Sequence, residues 1–256
     1  MRLLLDESRS HTPGEVLDED ALAEVYAPPA EPWLRVNFVS TLDGAATGAN
    51  GRSGSINTEA DGVVFHLLRR LSDVVVVGAG TVRTEGYQRL GEEDGGALPL
   101  AVVSNSARMP GALLAPAPGR GPALLITRAD APPEALAEAR EKLGEEAVLV
   151  CGESAVDLVA ARAALESRGL SRILAEGGPS LLGAMLEQGV VDELDLSWSP
   201  RLVGGDGPRI VRGAAFDVGA GPHGDGGGGG HRDGALARPA VGAGPAVMPS
   251  RARRTR

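Results

Sequence analysis

Two glycine-broken junctions carry the chemistry open to this chain, Val74-Val-Val-Val-Gly-Ala-Gly-Thr81 and Ile173-Leu-Ala-Glu-Gly-Gly-Pro-Ser180. In each, a short apolar run that reads as a buried strand ends on glycines, and the next residues can open a helix. Gly78 and Gly80 allow a tight turn and leave no Cβ in the way of a ligand. Thr81 is expected to N-cap the helix that follows. Gly177 and Gly178, followed by Pro179 and Ser180, leave a second helix N-terminus bare. Backbone N–H groups converge at such places and favour an anion, so the two junctions read as a phosphate cradle for a nucleotide. Glu176 stands at the carboxyl end of its strand, where α/β proteins bind ligands. Taken alone, the first glycine pair reads equally well as a structural turn.

A Rossmann fingerprint does not fit. G-x-G-x-x-G needs a third glycine where this chain has Arg83, and the acidic ribose ligand about twenty residues on is replaced by Pro99-Leu-Ala-Val102.

The elements that must position these junctions alternate between strand and helix, which argues an α/β sheet covered on both faces. Strands are expected at Arg35–Ser40, Val74–Val77, Leu98–Val103, Pro122–Thr127, Ala147–Cys151, Ser171–Glu176 and Val191–Ser199, the last able to face water on one side. Helices are expected from Thr58 to Leu71, from Pro133 to Leu143, from Val156 to Ser167 and from Ser180 to Gln188. Residues 1–32 read as an extension holding a short acidic helix, Leu17–Tyr26. From 213 to 256, Gly, Ala, Pro and Arg dominate, including an unbroken run from Gly226 to Gly230. That stretch cannot bury enough apolar surface to offset its ordering entropy, so a disordered tail is expected.

The totals narrow the classes. A net charge of -9 over 256 residues disfavours nucleic acid and anionic membrane surfaces as partners. Cys151 is the only cysteine, which excludes an internal disulfide and a multi-cysteine zinc site and suits a reducing cytoplasm. No metal is expected. No stretch approaches the roughly 18 apolar residues of a membrane span, and the N-terminus lacks a signal-peptide layout. Aromatic residues make up only 3%, so Val, Leu and Ala must build the core.

Four motifs in series resemble a known family: Val39-Ser-Thr-Leu-Asp-Gly44, Val77-Gly-Ala-Gly-Thr-Val-Arg83, Leu174-Ala-Glu-Gly-Gly-Pro179, and Val191-Asp-Glu-Leu194 with Pro200-Arg-Leu-Val-Gly204. Their order is similar to that in the reductase domain of the bifunctional deaminase–reductase of riboflavin biosynthesis, and closest to its stand-alone pyrimidine reductase members. The resemblance covers residues 33–212. It implies a dihydrofolate-reductase-like fold, α/β with a mixed, mostly parallel sheet, and no deaminase domain, since the zinc motif of such a domain is absent.

The resemblance further implies NADPH and a small-molecule substrate, 5-amino-6-(5-phosphoribosylamino)uracil, reduced at ribose C1. By position it places Gly80, Thr81, Gly178, Pro179 and Ser180 on the dinucleotide, with Gly78 and Gly177 in the same turns. It places Ser104 and Asn105 near the adenosine 2′-phosphate. It puts Ser53 and Arg69 on the substrate, Arg69 through the phosphate, and Glu176 on the pyrimidine edge. Asp43 and Glu85 are the site carboxylates it implies, either orienting sugar hydroxyls or relaying a proton. A homodimer is among the expectations.

The chain departs from the family at three places. Glu85-Gly-Tyr87 stands where Asp-Asp-Pro is usual, Arg89 is the nearest counterpart of a substrate arginine, and Ser55 replaces a tryptophan. The family's C-terminal strands have no counterpart in the tail, whose composition is that of a high-GC coding region read out of frame. Two other readings compete: a reductase of a pteridine or dihydrofolate-like substrate, and an inactive nucleotide-binding protein.

Overall fold

The computed structural model describes residues 12, 14–28, 31–94 and 96–215, and the backbone of 236–239. In chain order the elements are α1 (Glu19–Tyr26), β1 (Trp33–Thr41), α2 (Glu59–Arg70), β2 (Val74–Gly78), α3 (Ala79–Thr81), β3 (Leu100–Val103), α4 (Gly111–Leu114), β4 (Ala123–Thr127), α5 (Pro133–Leu143), β5 (Val148–Val150), α6 (Leu158–Glu166), β6 (Arg172–Ala175), α7 (Pro179–Glu187), β7 (Glu193–Ser199) and β8 (Leu236–Pro239). One sheet runs in the order β5-β4-β3-β2-β6-β1-β7-β8. Among the described strands every pairing is parallel, where a mixed, mostly parallel sheet was expected.

β6 lies between β1 and β2, so the strand ends that carry Thr41, Gly78 and Glu176 come together at one edge of the sheet. The run Val74–Val77 is no more than 2% exposed, as befits a strand covered on both faces. One face bears Leu34, Val36, Val74, Val76 and Ile173 against Leu158, Leu165, Leu182 and Met185 of α6 and α7. The other bears Val75, Val77, Val102 and Leu174 against Val64, Leu67 and Leu68 of α2. Each such side chain fully buried contributes roughly 1.5–3 kcal/mol. Leu17, Leu22 and Tyr26 join the second cluster, so the end of the expected extension is packed onto the sheet.

Helix α2 starts where the sequence indicates: the Thr58 hydroxyl accepts the Asp61 N–H at 3.2 Å. Along its length Asp61, Phe65 and Arg69 recur every fourth residue and so share a face.

Three elements differ from expectation. Thr81 makes no side-chain capping bond and is itself the last residue of a short helix. Gly78 occupies the N-cap position, α3 begins at Ala79, and the chain continues into a π-helical turn over Val82–Gly86. In β7 the buried positions are the polar ones, Glu193, Asp195, Ser197 and Ser199, while Trp198 is 60% exposed. Pairing decides this rather than hydropathy: Glu193 Oε2 accepts from Arg35 Nη2 at 3.0 Å and from Trp33 Nε1 at 2.6 Å. Finally, β8 pairs in parallel with β7 where no strand was expected. Such pairing uses backbone groups, which every sequence possesses, and needs no side-chain alternation. The expected disordered tail, with its proposed out-of-frame origin, otherwise lies outside the described residues from 216 onward.

Candidate active site

A cleft of about 840 Å³ opens over the carboxyl ends of β1, β2 and β6. The two glycine junctions form one end of it. Gly78, Gly80 and Thr81 of the first and Gly178, Pro179 and Ser180 of the second line it. They are locked together, since the Gly78 N–H donates to the Gly177 carbonyl at 2.7 Å. A Cβ on Gly178 would overlap Thr81 Oγ1, and one on Gly177, whose φ is +96°, would lie 2.9 Å from Phe38 Cζ. The second junction therefore needs glycine for packing, whereas a Cβ on Gly78 of the first would make only ordinary contacts, the nearest at 3.6 Å. Gly80 is different: a Cβ there would meet nothing within 4 Å, because it would project into open space. Helix α7 begins at this end with Pro179 in its first turn and no side-chain cap, and its dipole favours negative charge there.

The middle of the cleft holds a buried ionic cluster. Arg69 and Glu176 are 4% and 8% exposed. Arg69 Nε and Nη2 donate to the two oxygens of Glu176 at 2.6 and 2.9 Å, and Nη1 reaches Asp94 Oδ1 at 3.3 Å. The guanidinium carbon lies 4.3 Å from the centre of the Phe65 ring. Burial opposes the charge on Arg69, and the Glu176 carboxylate outweighs it, holding the guanidinium above its ordinary pKa. Tyr87 Oη donates to Glu176 Oε2 at 2.8 Å, and burial followed by the Glu176 charge pushes that phenol well above its usual range.

The family resemblance implies Arg69 on a phosphate and Glu176 on a pyrimidine. Both line the cleft, but they spend their strongest bonds on each other. Tyr87, one of the departures noted above, supplies a third bond to Glu176.

Glu85 and Ser53 also line the cleft and meet there, with Glu85 Oε1 accepting the Ser53 N–H at 2.8 Å. Asp43 does not line it. Asp43 Oδ1 accepts from Thr41 Oγ1 at 2.5 Å, and Oδ2 accepts the N–H groups of Val203 and Gly204 at 3.0 and 2.7 Å. These bonds, Thr41's first, hold its carboxyl below the usual range. Asp43 thus ties the end of β1 to the loop after β7.

Ser104 and Asn105 follow β3 and lie outside the cleft lining. The Ser104 hydroxyl donates to the Arg108 carbonyl at 3.1 Å, and Asn105 Oδ1 accepts the Val156 N–H at 3.2 Å. Arg89 donates to the Leu113 carbonyl at 3.1 Å, and Ser55 donates to the Arg52 carbonyl at 2.8 Å. His66 is exposed at the cleft, edge-on to Phe65 with ring centres 5.6 Å apart. Cys151 is buried, and that burial raises its thiol pKa.

Among the lining residues to which the sequence assigned no part in the site are Asn37, Asp61 and Arg212, Asp61 being read only as part of the cap that opens α2. Asp61 is 7% exposed, and burial raises its carboxyl above the ordinary value although the Ser197 hydroxyl opposes the shift. Arg212 is, among the described lining residues, the one guanidinium without a carboxylate partner; its N–H bonds the Pro179 carbonyl at 2.9 Å, beside the start of α7.

A model of the RibD C-terminal domain matches residues 32–222. The chain belongs to the RibD C-terminal domain family. It is similar to proteins named 2,5-diamino-6-ribosylamino-4(3H)-pyrimidinone 5′-phosphate reductase. The one from Methanothermobacter thermautotrophicus is 33% identical over 178 residues, spanning 68% of this chain and 80% of the relative. The one from Archaeoglobus fulgidus is 30% identical over 188 residues, spanning 68% and 83%. Among solved structures, a pyrimidine reductase-like protein from Corynebacterium diphtheriae superposes with a TM-score of 0.66 at 26% identity, covering 79% of this chain and 90% of that one.

The expected family and the α/β architecture are therefore present, and the relatives are named as reductases. Among the described residues no helix is long and apolar enough to cross a membrane.

Proposed function

We propose that the chain is an NADPH-dependent reductase acting on a ribosylaminopyrimidine 5′-phosphate in riboflavin biosynthesis. The observation that carries this reading is the cradle itself: two glycine junctions lie side by side at one end of the cleft, and Gly80 leaves open the space that a Cβ would fill. The family membership and the names of the relatives support it. Gly78, Gly80, Thr81, Gly178, Pro179 and Ser180 would hold the dinucleotide, with Arg212 and the α7 dipole facing its negative charge. When bound, NADPH supplies the hydride that the reduction needs.

The chain's own residues align and shield the substrate. The open-chain form of the sugar carries a C1–N imine; a hydride added at C1 and a proton added at nitrogen give the ribitylamino product. Glu85, fixed by the Ser53 N–H, is the carboxylate placed to orient a sugar hydroxyl or pass that proton. Asp43 acts on loop geometry. Arg69 serves as a positioning residue that fixes Glu176 and Tyr87 in the wall.

With this reading go a cytoplasmic location and a homodimer. The homodimer is supported by exposed Leu42, Trp198 and Leu202 on segments joined by the bond from Leu42 N–H to the Arg201 carbonyl. A second reading, a pteridine-like substrate, is favoured by the scarcity of unpaired cations in the cleft. Oxidation of NADPH by the purified chain, with product identified by mass, tests both. Turnover of the ribosylaminopyrimidine phosphate supports the first reading; turnover of dihydropteridine alone supports the second.

A further inference from the structure

Glu85 stands on a turn with few ties to the rest of the fold. The π-helical turn Val82–Gly86 starts from Val82, buried in the core, and then runs through Arg83, Thr84 and Gly86, which are exposed. Gly86 has a φ of +80°, a conformation that glycine adopts freely, so the backbone there is not stiff by itself. The turn closes on Tyr87, whose N–H bonds the Val82 carbonyl at 3.0 Å. Among the described residues, two side-chain bonds hold this stretch from outside. Glu85 Oε1 accepts the Ser53 N–H at 2.8 Å, and Tyr87 Oη donates to Glu176 Oε2 at 2.8 Å. The first joins one loop to another, since Ser53 opens the short turn Ser53–Ser55 between β1 and α2. The second reaches a fixed post, because Glu176 is 8% exposed and Arg69 holds both of its oxygens. Single π-helical turns are frequent at functional sites.

We infer that Tyr87 is a positioning residue: its hydroxyl bond to Glu176 sets where the π-helical turn, and with it the Glu85 carboxylate, stands in the cleft. The inference rests on the reductase reading for the reaction that Glu85 serves. Glu85 and Tyr87 both line the cleft, one residue apart across Gly86. Burial first, then the Glu176 charge, push the Tyr87 phenol well up, and the Glu85 charge adds to the push. The phenol therefore stays a protonated donor at neutral pH, and the bond to Glu176 does not open by titration. A carboxylate that orients a sugar hydroxyl or passes a proton must be placed closely; a misplacement of about 1 Å can cost about a hundredfold in rate. Without the Tyr87 hydroxyl, the place of Glu85 rests on the loop contact at Ser53 alone.

The test compares the full chain with Tyr87→Phe, Glu85→Gln and the double variant. Tyr87→Phe keeps the ring and removes only the hydroxyl. With NADPH and the ribosylaminopyrimidine 5′-phosphate, it should lower kcat about ten- to a hundredfold and leave the KM for NADPH unchanged. The double variant should be no slower than Glu85→Gln, because Tyr87 acts through Glu85. Amide hydrogen exchange, read without substrate, should quicken at Tyr87, whose N–H closes the turn, and stay unchanged at Val75 and Val76 in β2. Rate losses that multiply in the double variant overturn the inference, and so does unchanged exchange at Tyr87 in Tyr87→Phe. An unchanged kcat with a raised substrate KM also overturns it and makes Tyr87 a direct substrate ligand. The reductase reading fails separately: if the unmodified chain oxidises no NADPH with this substrate, that reading is removed, and the exchange result alone decides for or against the tie at Tyr87.

Discussion

Arg69 and Glu176 meet in a two-pronged ion pair between α2 and the end of β6, with bonds of 2.6 and 2.9 Å and almost no exposure to water. The geometry is that of a guanidinium fork on a carboxylate, the strongest charged pairing available to side chains. Because both groups are desolvated, each depends on the other.

Removing one partner should therefore act on stability before it acts on substrate. Arg69→Ala should cost about 3–5 kcal/mol in urea unfolding, because it leaves a buried carboxylate uncompensated. The double variant Arg69→Met, Glu176→Leu should recover most of that loss. If Arg69→Ala is as stable as the parent and loses affinity only for phosphorylated substrate, Arg69 is a phosphate ligand instead.

The glycine junctions separate packing from binding. Gly80→Val should leave unfolding within about 0.5 kcal/mol of the parent, as substitutions away from packed features do, and should abolish measurable NADPH binding. Gly178→Ala should destabilise the chain, since its Cβ would overlap Thr81 Oγ1. Normal cofactor affinity in Gly80→Val would make that turn purely structural.

Much of this layout is legible in the sequence. The β-branched run Val74–Val77 and the glycines after it announce a buried strand and a turn by local rules alone. Thr58 and Asp61 likewise announce the start of α2. What stays hidden is the use of side chains that meet partners far along the chain. Asp61 reads as an ordinary first-turn acid, and only the packing of α2 against Ser197 of β7 buries it in the cleft floor. Arg69, expected on a phosphate, hides its use for the same reason: its carboxylate, Glu176, lies after β6. Asp43 has the right residue type for catalysis, and its distance from the cleft lining follows from the loop at Val203 and Gly204, which no local pattern reveals.

Asp61 should make stability depend on pH in an uncommon direction. Its folded pKa is raised by burial, so its contribution is full below the ordinary carboxylate value and is lost as pH rises through the folded one. Asp61→Asn should melt at a higher temperature than the parent at pH 7, and the gap should close near pH 3, below the ordinary value of about 3.9. A parent that outlasts the variant at pH 7 would contradict the burial argument.

Asp43 should behave oppositely. Its carboxyl is lowered, first by Thr41, so its contribution is present above the ordinary value and lost as pH falls through the lowered one. Asp43→Ala should free the loop around Val203 and Gly204, seen as faster proteolysis there at pH 7, with kcat reduced far less than by Glu85→Gln. A collapse of kcat in Asp43→Ala with the loop still protected would return Asp43 to the reacting atoms.

The central claim is a reductase whose cofactor lies in the glycine cradle and whose substrate lies beyond it. The most direct measurement follows NADPH oxidation by the purified chain, offered in turn the ribosylaminopyrimidine 5′-phosphate and dihydrofolate, with Gly80→Val alongside. The account predicts one NADPH consumed per ribitylamino product formed, no consumption with dihydrofolate, and none with Gly80→Val. Turnover of dihydrofolate alone, or undiminished turnover by Gly80→Val, would contradict it.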